Sequence, residues 1–202
     1  MWSYEKKLQC PVKIKNPNPA LAKVIITQFG GPDGELGASM RYLSQRYSMP
    51  YGEVVGILSD VGTEELAHIE MVSAIVHQLT RNMTIEQIKE SGFEPYFVDH
   101  TAGIYPVAAS GVPFSAMTFQ SKGDAITDII EDLAAEQKAR TVYDNLLRVI
   151  KEPEIRDPLK FLRAREVVHF QRFGEALERT KDSLDAKNFY YFNPEFDKQF
   201  LK

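Results

Sequence analysis

Apolar residues recur along most of the chain at intervals of three and four, the period of a helix with one buried face. Residues 18–29, opening on Asn18-Pro19-Ala20-Leu21, read as a short helix that Gly30-Gly31-Pro32 interrupts. A second stretch, 33–48, carries Leu36, Met40 and Leu43 and ends near Met49-Pro50. From Tyr51 to Arg81 the apolar positions Val54, Leu58, Val61, Ile69, Val72 and Val76 mark a long helix. Thr84-Ile85-Glu86-Gln87 is a capping box that opens a small helix, and Ser91-Gly92 is its stop. Residues 93–120 lose the helical period and gain Pro95, Gly103, Pro106, Gly111 and Pro113, which predicts a long crossover loop. Helix resumes at Asp124 on the stripe Ile126, Ile129, Ile130, Leu133, Val142, Leu146 and Val149, and stops near Lys151-Glu152-Pro153. Asp157-Pro158 reads as a cap followed by proline at the first helical position, opening a last helix that runs to about Asp185. The pattern therefore predicts an all-α bundle of two antiparallel helix hairpins joined by a crossover. A single domain over 1–202 is expected, with an N-terminal arm over 1–17 and an aromatic C-terminal tail over 186–202.

Composition narrows the class. A chain of 202 residues can bury a sizeable core, and its one cysteine, Cys10, excludes a disulfide framework or a Cys-rich metal module. The net charge of −4 argues against nucleic acid as a partner. No apolar run is long enough to span a membrane, and the opening Met1-Trp2-Ser3-Tyr4-Glu5-Lys6-Lys7 lacks the apolar core of a signal peptide. A protein made in the cytoplasm is the expectation.

The chemistry lies in two Glu-x-x-His triplets, Glu65-Leu66-Ala67-His68 and Glu166-Val167-Val168-His169. Three residues is nearly one helical turn, so each pair shares a side. Residue frequencies alone would yield roughly a third of one such pair, so the pairs by themselves decide nothing. Their placement does. Glu35 precedes Glu65 by 30 residues, and Glu136 precedes Glu166 by 30. The midpoints fall at Pro50 and Lys151, where the apolar pattern independently places the two turns. In an antiparallel hairpin, residues equidistant from the turn share a height, here about 22 Å from it. Four carboxylates and two imidazoles thus converge. The order Glu, Glu-x-x-His, Glu, Glu-x-x-His is that of ferritin-like dimetal carboxylate bundles. Tyr42 and Tyr143 each lie seven residues past a glutamate and are expected on that glutamate's face, which points to a duplicated hairpin. Arg140 is placed to neutralise carboxylate charge beside the site.

Helical glutamates are usually solvated, and Glu64, Glu70, Glu131 and Glu178 are expected to be. Glu35, Glu65, Glu136 and Glu166 instead adjoin the apolar stripes, where four buried carboxylates with nothing to bind would each cost several kcal/mol, an order-of-magnitude figure. Glu64 rivals Glu65, being four residues before His68, but the matched spacing selects Glu65. His77 is out of phase with His68 and reads as a surface residue; His100 falls in the crossover. Oxygen donors with two imidazoles suit manganese or iron rather than copper or structural zinc.

The sequence resembles the manganese catalase family, and most of all its spore-coat CotJC type. The resemblance is carried by Gly30-Gly31-Pro32-Asp33-Gly34-Glu35-Leu36, Gly62-Thr63-Glu64-Glu65-Leu66-Ala67-His68-Ile69-Glu70-Met71, Gly111-Val112-Pro113-Phe114 with Lys122-Gly123-Asp124, Ala135-Glu136-Gln137-Lys138-Ala139-Arg140 and Arg165-Glu166-Val167-Val168-His169-Phe170-Gln171-Arg172-Phe173. It implies two manganese ions per chain, held by Glu35, Glu65, His68, Glu136 and His169, with Glu65 bridging. It implies Glu166 as the acid/base group, Tyr42 beside the ligands, and dismutation of hydrogen peroxide to water and dioxygen. It further implies a homo-oligomer, a hexamer by family, in the spore coat beside other coat proteins. Two departures bear on the substrate channel: Ala135 stands where larger members often carry arginine, and those members have a longer C-terminal extension. Two other readings use the same residues. One is a diiron ferritin-like oxidase or ferroxidase with Glu166 as a sixth ligand; the other is a coat-assembly protein whose metal site is vestigial. The aromatic residues Tyr105, Phe114, Phe189, Tyr190, Tyr191 and Phe192 favour self-association.

Overall fold

A computed structural model describes residues 3–5 and 7–184; the tail expected over 186–202 lies outside them. Among the described residues the regular structure is helical, apart from one isolated bridge between Val107 and Pro113. The first hairpin pairs α3 (Glu35–Gln45) with α4 (Gly52–Thr80), and the second pairs α7 (Ala125–Val149) with α8 (Pro153–Ser183). α4 lies against α8 and α3 against α7, which closes a four-helix bundle.

The segment expected as one short helix is two, α1 (Pro19–Ile25) and α2 (Thr27–Gly30), meeting at Ile26. The Asn18 side chain accepts from the Leu21 amide and Pro19 occupies the first turn, where its missing N–H costs nothing. Gly30 must be glycine, because a Cβ there would lie 2.2 Å from the carbonyl carbon of Pro106. The crossover backbone thus rests directly on the start of the bundle. The capping box at Thr84 is present in full, opening α5 (Ile85–Glu90).

Two expectations need correction. The crossover is not structureless, for it holds α6 (Glu94–His100) and a 3-10 turn over Ala116–Phe119. Pro95 sits in the first turn of α6, where proline is compatible with helix, so it was no breaker there. The last helix starts at Pro153, not Pro158. Glu152 is extended, as a residue before proline prefers, and Pro153 is the better start. Pro158 lies inside α8 near its start, where it forgoes one backbone hydrogen bond. The Arg156 side chain donates to the Ile150 carbonyl at 2.6 Å, tying the new helix to the end of α7.

Two apolar clusters fill the bundle. One contains Met71, Val72, Ile75 and Leu79 of α4 with Tyr143, Leu146, Leu159 and Leu162. The other contains Tyr42, Val54, Leu58, Val61, Ala125, Ile129, Phe173 and Ala176. On α4, α7 and α8 alike, the stretch between the two clusters carries the predicted metal residues. The site is therefore a polar layer between two dry ones.

Candidate metal centre

Glu65 and His68 come from α4, Glu166 and His169 from α8, Glu35 from the first turn of α3 and Glu136 from mid-α7; all six are buried. α3 approaches α4 closely here. A Cβ on Gly62 would lie 2.9 Å from Leu43 Cγ, and Ser39 Oγ donates to the Gly62 carbonyl at 3.0 Å. That contact, one turn before Glu65, sets the height at which Glu35 enters.

Glu65 lies between the two imidazoles. Its Oε2 is 2.7 Å from His68 Nδ1, and its Oε1 is 2.7 Å from His169 Nδ1. Glu35 Oε2 flanks the first imidazole at 3.7 Å from His68 Nδ1, and Glu136 Oε2 flanks the second at 3.6 Å from His169 Nδ1. The rings are nearly parallel, with centroids 5.4 Å apart and 22° between planes. Glu166 Oε1 is 3.9 Å from His68 Nδ1. Ligand atoms of Glu65, His68, Glu166 and His169 all fall within 4.8 Å of one another. Glu136 Oε2, Glu166 Oε1 and the Nε2 atoms of both histidines are buried without a hydrogen-bond partner, and the close approach of Glu65 Oε1 to His169 Nδ1 is not aligned as a hydrogen bond. Carboxylate oxygens and imidazole nitrogens left open at this density fit a pair of manganese or iron ions.

Electrostatics agree with that fit. Burial pushes the Glu35 carboxyl up to about 8, helped by the charge of Glu65. Burial likewise raises Glu136, and raises Glu166 well above the usual carboxylate range, with Glu35, Glu136 and Glu65 adding repulsion. Burial opposes the ionisation of Glu65 too, but His169 and His68 outweigh it and hold that carboxylate low. Without ions, four carboxylates share too little positive charge, which is the condition divalent cations relieve.

The tyrosines correct the expectation of same-helix pairing. The Tyr42 hydroxyl donates to Glu136 and the Tyr143 hydroxyl donates to Glu35. Each serves the other hairpin's glutamate, since a residue two turns along its own helix lies about 10 Å away, beyond a phenol's reach. Arg140 also differs: it pairs with Asp144 at 2.6 Å and with Gln137. It turns outward, away from the site. His77 is exposed as expected, and His100 stacks on Tyr105 at 3.9 Å, remote from the ligands.

Sequence reasoning missed two groups. Glu64 is not a solvated glutamate: it takes two contacts from Arg165 and lies near both imidazoles. The signal was available, because Glu64 and Arg165 precede the two triplet glutamates and are related by the same offset of 101 residues as the ligand pairs. Arg41, Gln45 and Asp132 form a buried polar group beside Glu136. Burial raises Asp132 well above the usual range, with Gln45 and Arg41 pulling the other way. Asp132 falls four residues before Glu136, which marks its face but not its burial.

The family model described as manganese containing catalase matches residues 1–200. The chain belongs to the manganese catalase family. Protein CotJC of Bacillus subtilis (strain 168) is 50% identical over 190 residues, covering 94% of this chain and all of that one. A probable manganese catalase of Clostridium acetobutylicum is 34% identical over 194 residues, covering 94% of this chain and 85% of that one. The crystal structure of KatB, a manganese catalase from Anabaena, superposes with a TM-score of 0.83 at 28% identity, over 93% of this chain and 84% of that one. The manganese catalase fold is thus the ferritin-like bundle described above, and no described helix is long and apolar enough to cross a membrane.

Proposed function

We propose that this protein is a dimanganese catalase that dismutates hydrogen peroxide to water and dioxygen, and that it works in the spore coat. The observation that carries the reading is Glu65, whose two oxygens each face one imidazole Nδ1 at 2.7 Å. Glu35, Glu65, His68, Glu136 and His169 are the residues that would hold two manganese ions, with Glu65 between the two imidazoles. Manganese held there supplies the one-electron changes, two per pair, by which one peroxide is reduced to water and a second is oxidised to dioxygen.

The remaining work falls to the chain. Each half of the reaction moves protons, and Glu166 is placed for them. It is buried 3.9 Å from His68 Nδ1, and its Oε1 has no hydrogen-bond partner, so that oxygen is free to take up and return a proton. The Tyr42 hydroxyl fixes one oxygen of Glu136, leaving the other to face His169. A cavity of about 10 Å³ lies against Tyr42 and Glu136, lined by Pro32, Asp33, Ala38 and Ala135. That is room for roughly one water-sized molecule. Ala135 lines this cavity where larger relatives often place arginine.

The decisive experiment is oxygen evolution from peroxide by manganese-loaded protein and its Glu166→Gln variant. Both ions are retained in the variant and most dismutation is lost. One observation favours the second reading, a diiron oxidase: Glu166 belongs to the four-residue cluster within 4.8 Å. Loss of one ion in Glu166→Gln, with iron preferred over manganese on loading, establishes that reading instead. Retained metal with no oxygen evolution in the unaltered protein leaves a coat-assembly role. A hexamer is the proposed assembly, checked by light scattering at micromolar concentration.

A further inference from the structure

Both imidazoles turn Nδ1 toward Glu65, so the opposite nitrogen of each ring, Nε2, must carry the proton if Nδ1 is to offer its lone pair to a cation. Neither Nε2 has a hydrogen-bond partner, and both lie near one side chain. Glu64 Oε2 is 3.2 Å from His169 Nε2, and Glu64 Oε1 is 3.7 Å from His68 Nε2. Glu64 follows a helical logic of its own: it is four residues before His68, hence one turn above it, and 100° around the helix from Glu65. The bridging carboxylate and the outer carboxylate therefore address opposite edges of the same two rings.

Glu64 is itself held. Arg165 Nε donates to its Oε1 at 2.7 Å and Arg165 Nη2 to its Oε2 at 3.0 Å, a two-pronged clamp that fixes the plane of the carboxylate. Gln9 Nε2 donates to Oε1 at 2.7 Å from the N-terminal arm. The Glu64 side chain keeps 19% of its exposure, and an open groove of about 780 Å³ reaches it between the arm and α4.

The offset of 101 residues relates Glu35 to Glu136, Glu65 to Glu166, His68 to His169, and Glu64 to Arg165. The last pair touches itself, so it stands where the two hairpins' equivalent positions meet. Two glutamates there would repel. An acid in one hairpin and a base in the other hold that position as a fixed carboxylate beside both rings.

We propose that Glu64, clamped by Arg165, is a positioning residue that sets the protonated nitrogen and the orientation of His68 and His169 together, so that one carboxylate outside the metal layer governs both metal positions. The inference rests on the metal-site reading above. It makes Glu64 act through the histidines, without touching metal or peroxide.

The test is a manganese titration of the metal-free protein and its variants, with the electron paramagnetic resonance of the bound ions and the melting temperature of each metal-free variant recorded alongside. Glu64→Ala is expected to weaken manganese binding 10- to 100-fold at both positions, in line with the loss of groups that orient metal-bound histidines. Glu64→Gln keeps one acceptor oxygen for two rings, so its loss is smaller and falls mainly on one position, with an altered coupled-pair spectrum. Asp60→Ala breaks a different tie between α4 and α8, that of Asp60 to Arg172 at 3.1 Å, and leaves affinity unchanged. Should Glu64→Ala fail to fold, Glu64→Gln decides alone. Wild-type affinity and an unaltered spectrum in the Glu64 variants, or an equal loss in Asp60→Ala, overturn the proposal and leave Glu64 as a tie between helices. A wild-type protein that takes up neither manganese nor iron overturns the metal-site reading itself.

Discussion

The two halves of the metal layer use matching residues in unlike surroundings. Around Glu35, the partner hydroxyl is that of Tyr143, and Tyr143 belongs to an apolar cluster with Met71, Val72, Leu146 and Leu162. Around Glu136, the partner hydroxyl is that of Tyr42, and beside it lie Arg41, Asp132 and a water-sized cavity. Arg41 is buried yet directs its guanidinium to the carbonyls of Thr118 and Phe119, so the crossover seals this half through polar contacts. The two hairpins thus carry equivalent sets of donors, while the segments packed against them leave a water-sized cavity beside one side and an apolar cluster beside the other.

The largest expected effect removes what the halves share. Glu65→Ala deletes the carboxylate between the imidazoles, and His68→Ala deletes a ligand of one half. Both are expected to abolish most metal binding by elemental analysis. If the halves are joined by Glu65, Glu65→Ala loses both ions, whereas His68→Ala loses first the ion beside Glu35. Retention of two ions per chain in Glu65→Ala breaks the bridging assignment.

The tyrosines sharpen the contrast between dry and accessible. Tyr143→Phe strips Glu35 of its donor in an apolar surrounding, and an unpaired buried polar group costs about 1–3 kcal/mol. Tyr42→Phe does the same to Glu136, but the adjoining cavity admits roughly one water as a replacement donor. Urea denaturation of the metal-loaded variants is expected to show the greater loss for Tyr143→Phe. Equal losses mean that the cavity does not serve Glu136.

These differences explain how far the sequence could be read. The four glutamates, two histidines and their helices followed from the spacing of 30 residues and the two turns, because helical geometry converts spacing into height. The reciprocal tyrosine bonds did not follow, since spacing along one helix says nothing about which neighbouring helix a long side chain reaches. Glu64 was read as solvated because a glutamate with charged partners and one without look alike in a single chain. The start of α8 was misplaced because Pro153 and Pro158 both satisfy the rules for a first turn, and only the packing of Arg156 against the end of α7 chooses between them.

Acidity offers a gentler probe of the dry half. Glu35 has its carboxyl raised to about 8 by burial, above the 4.5 expected when exposed. The folded metal-free protein therefore holds a proton that the unfolded chain has released between those values. Its contribution to stability is full below 4.5 and is lost as pH rises through 8. The melting temperature of metal-free protein is expected to fall by roughly ten degrees between pH 5 and pH 8, at about 2–4 °C per kcal/mol for this size, with manganese abolishing the fall by taking the proton's place. A flat profile in the metal-free protein places Glu35 in wetter surroundings than its packing indicates.

The smallest effect concerns the accessible half alone. Ala135 is nearly buried and lines the cavity at Glu136 with Pro32, Asp33 and Ala38. It does not belong to the ligand set, and its side chain faces a space that holds roughly one water. Ala135→Leu adds three carbons there and fills it. Because no ligand is disturbed, the variant is expected to bind two ions with unchanged affinity. Peroxide turnover is expected to fall several-fold, chiefly through slower entry, so the loss appears in kcat/KM at low peroxide and shrinks as peroxide is raised. The same substitution made on the dry side, Val72→Phe, fills no passage; it overpacks the core at a cost of about 1–3 kcal/mol and leaves the entry step of folded protein alone. A fall in kcat/KM for Val72→Phe equal to that for Ala135→Leu, measured on protein of equal metal content, would show that peroxide does not enter beside Glu136.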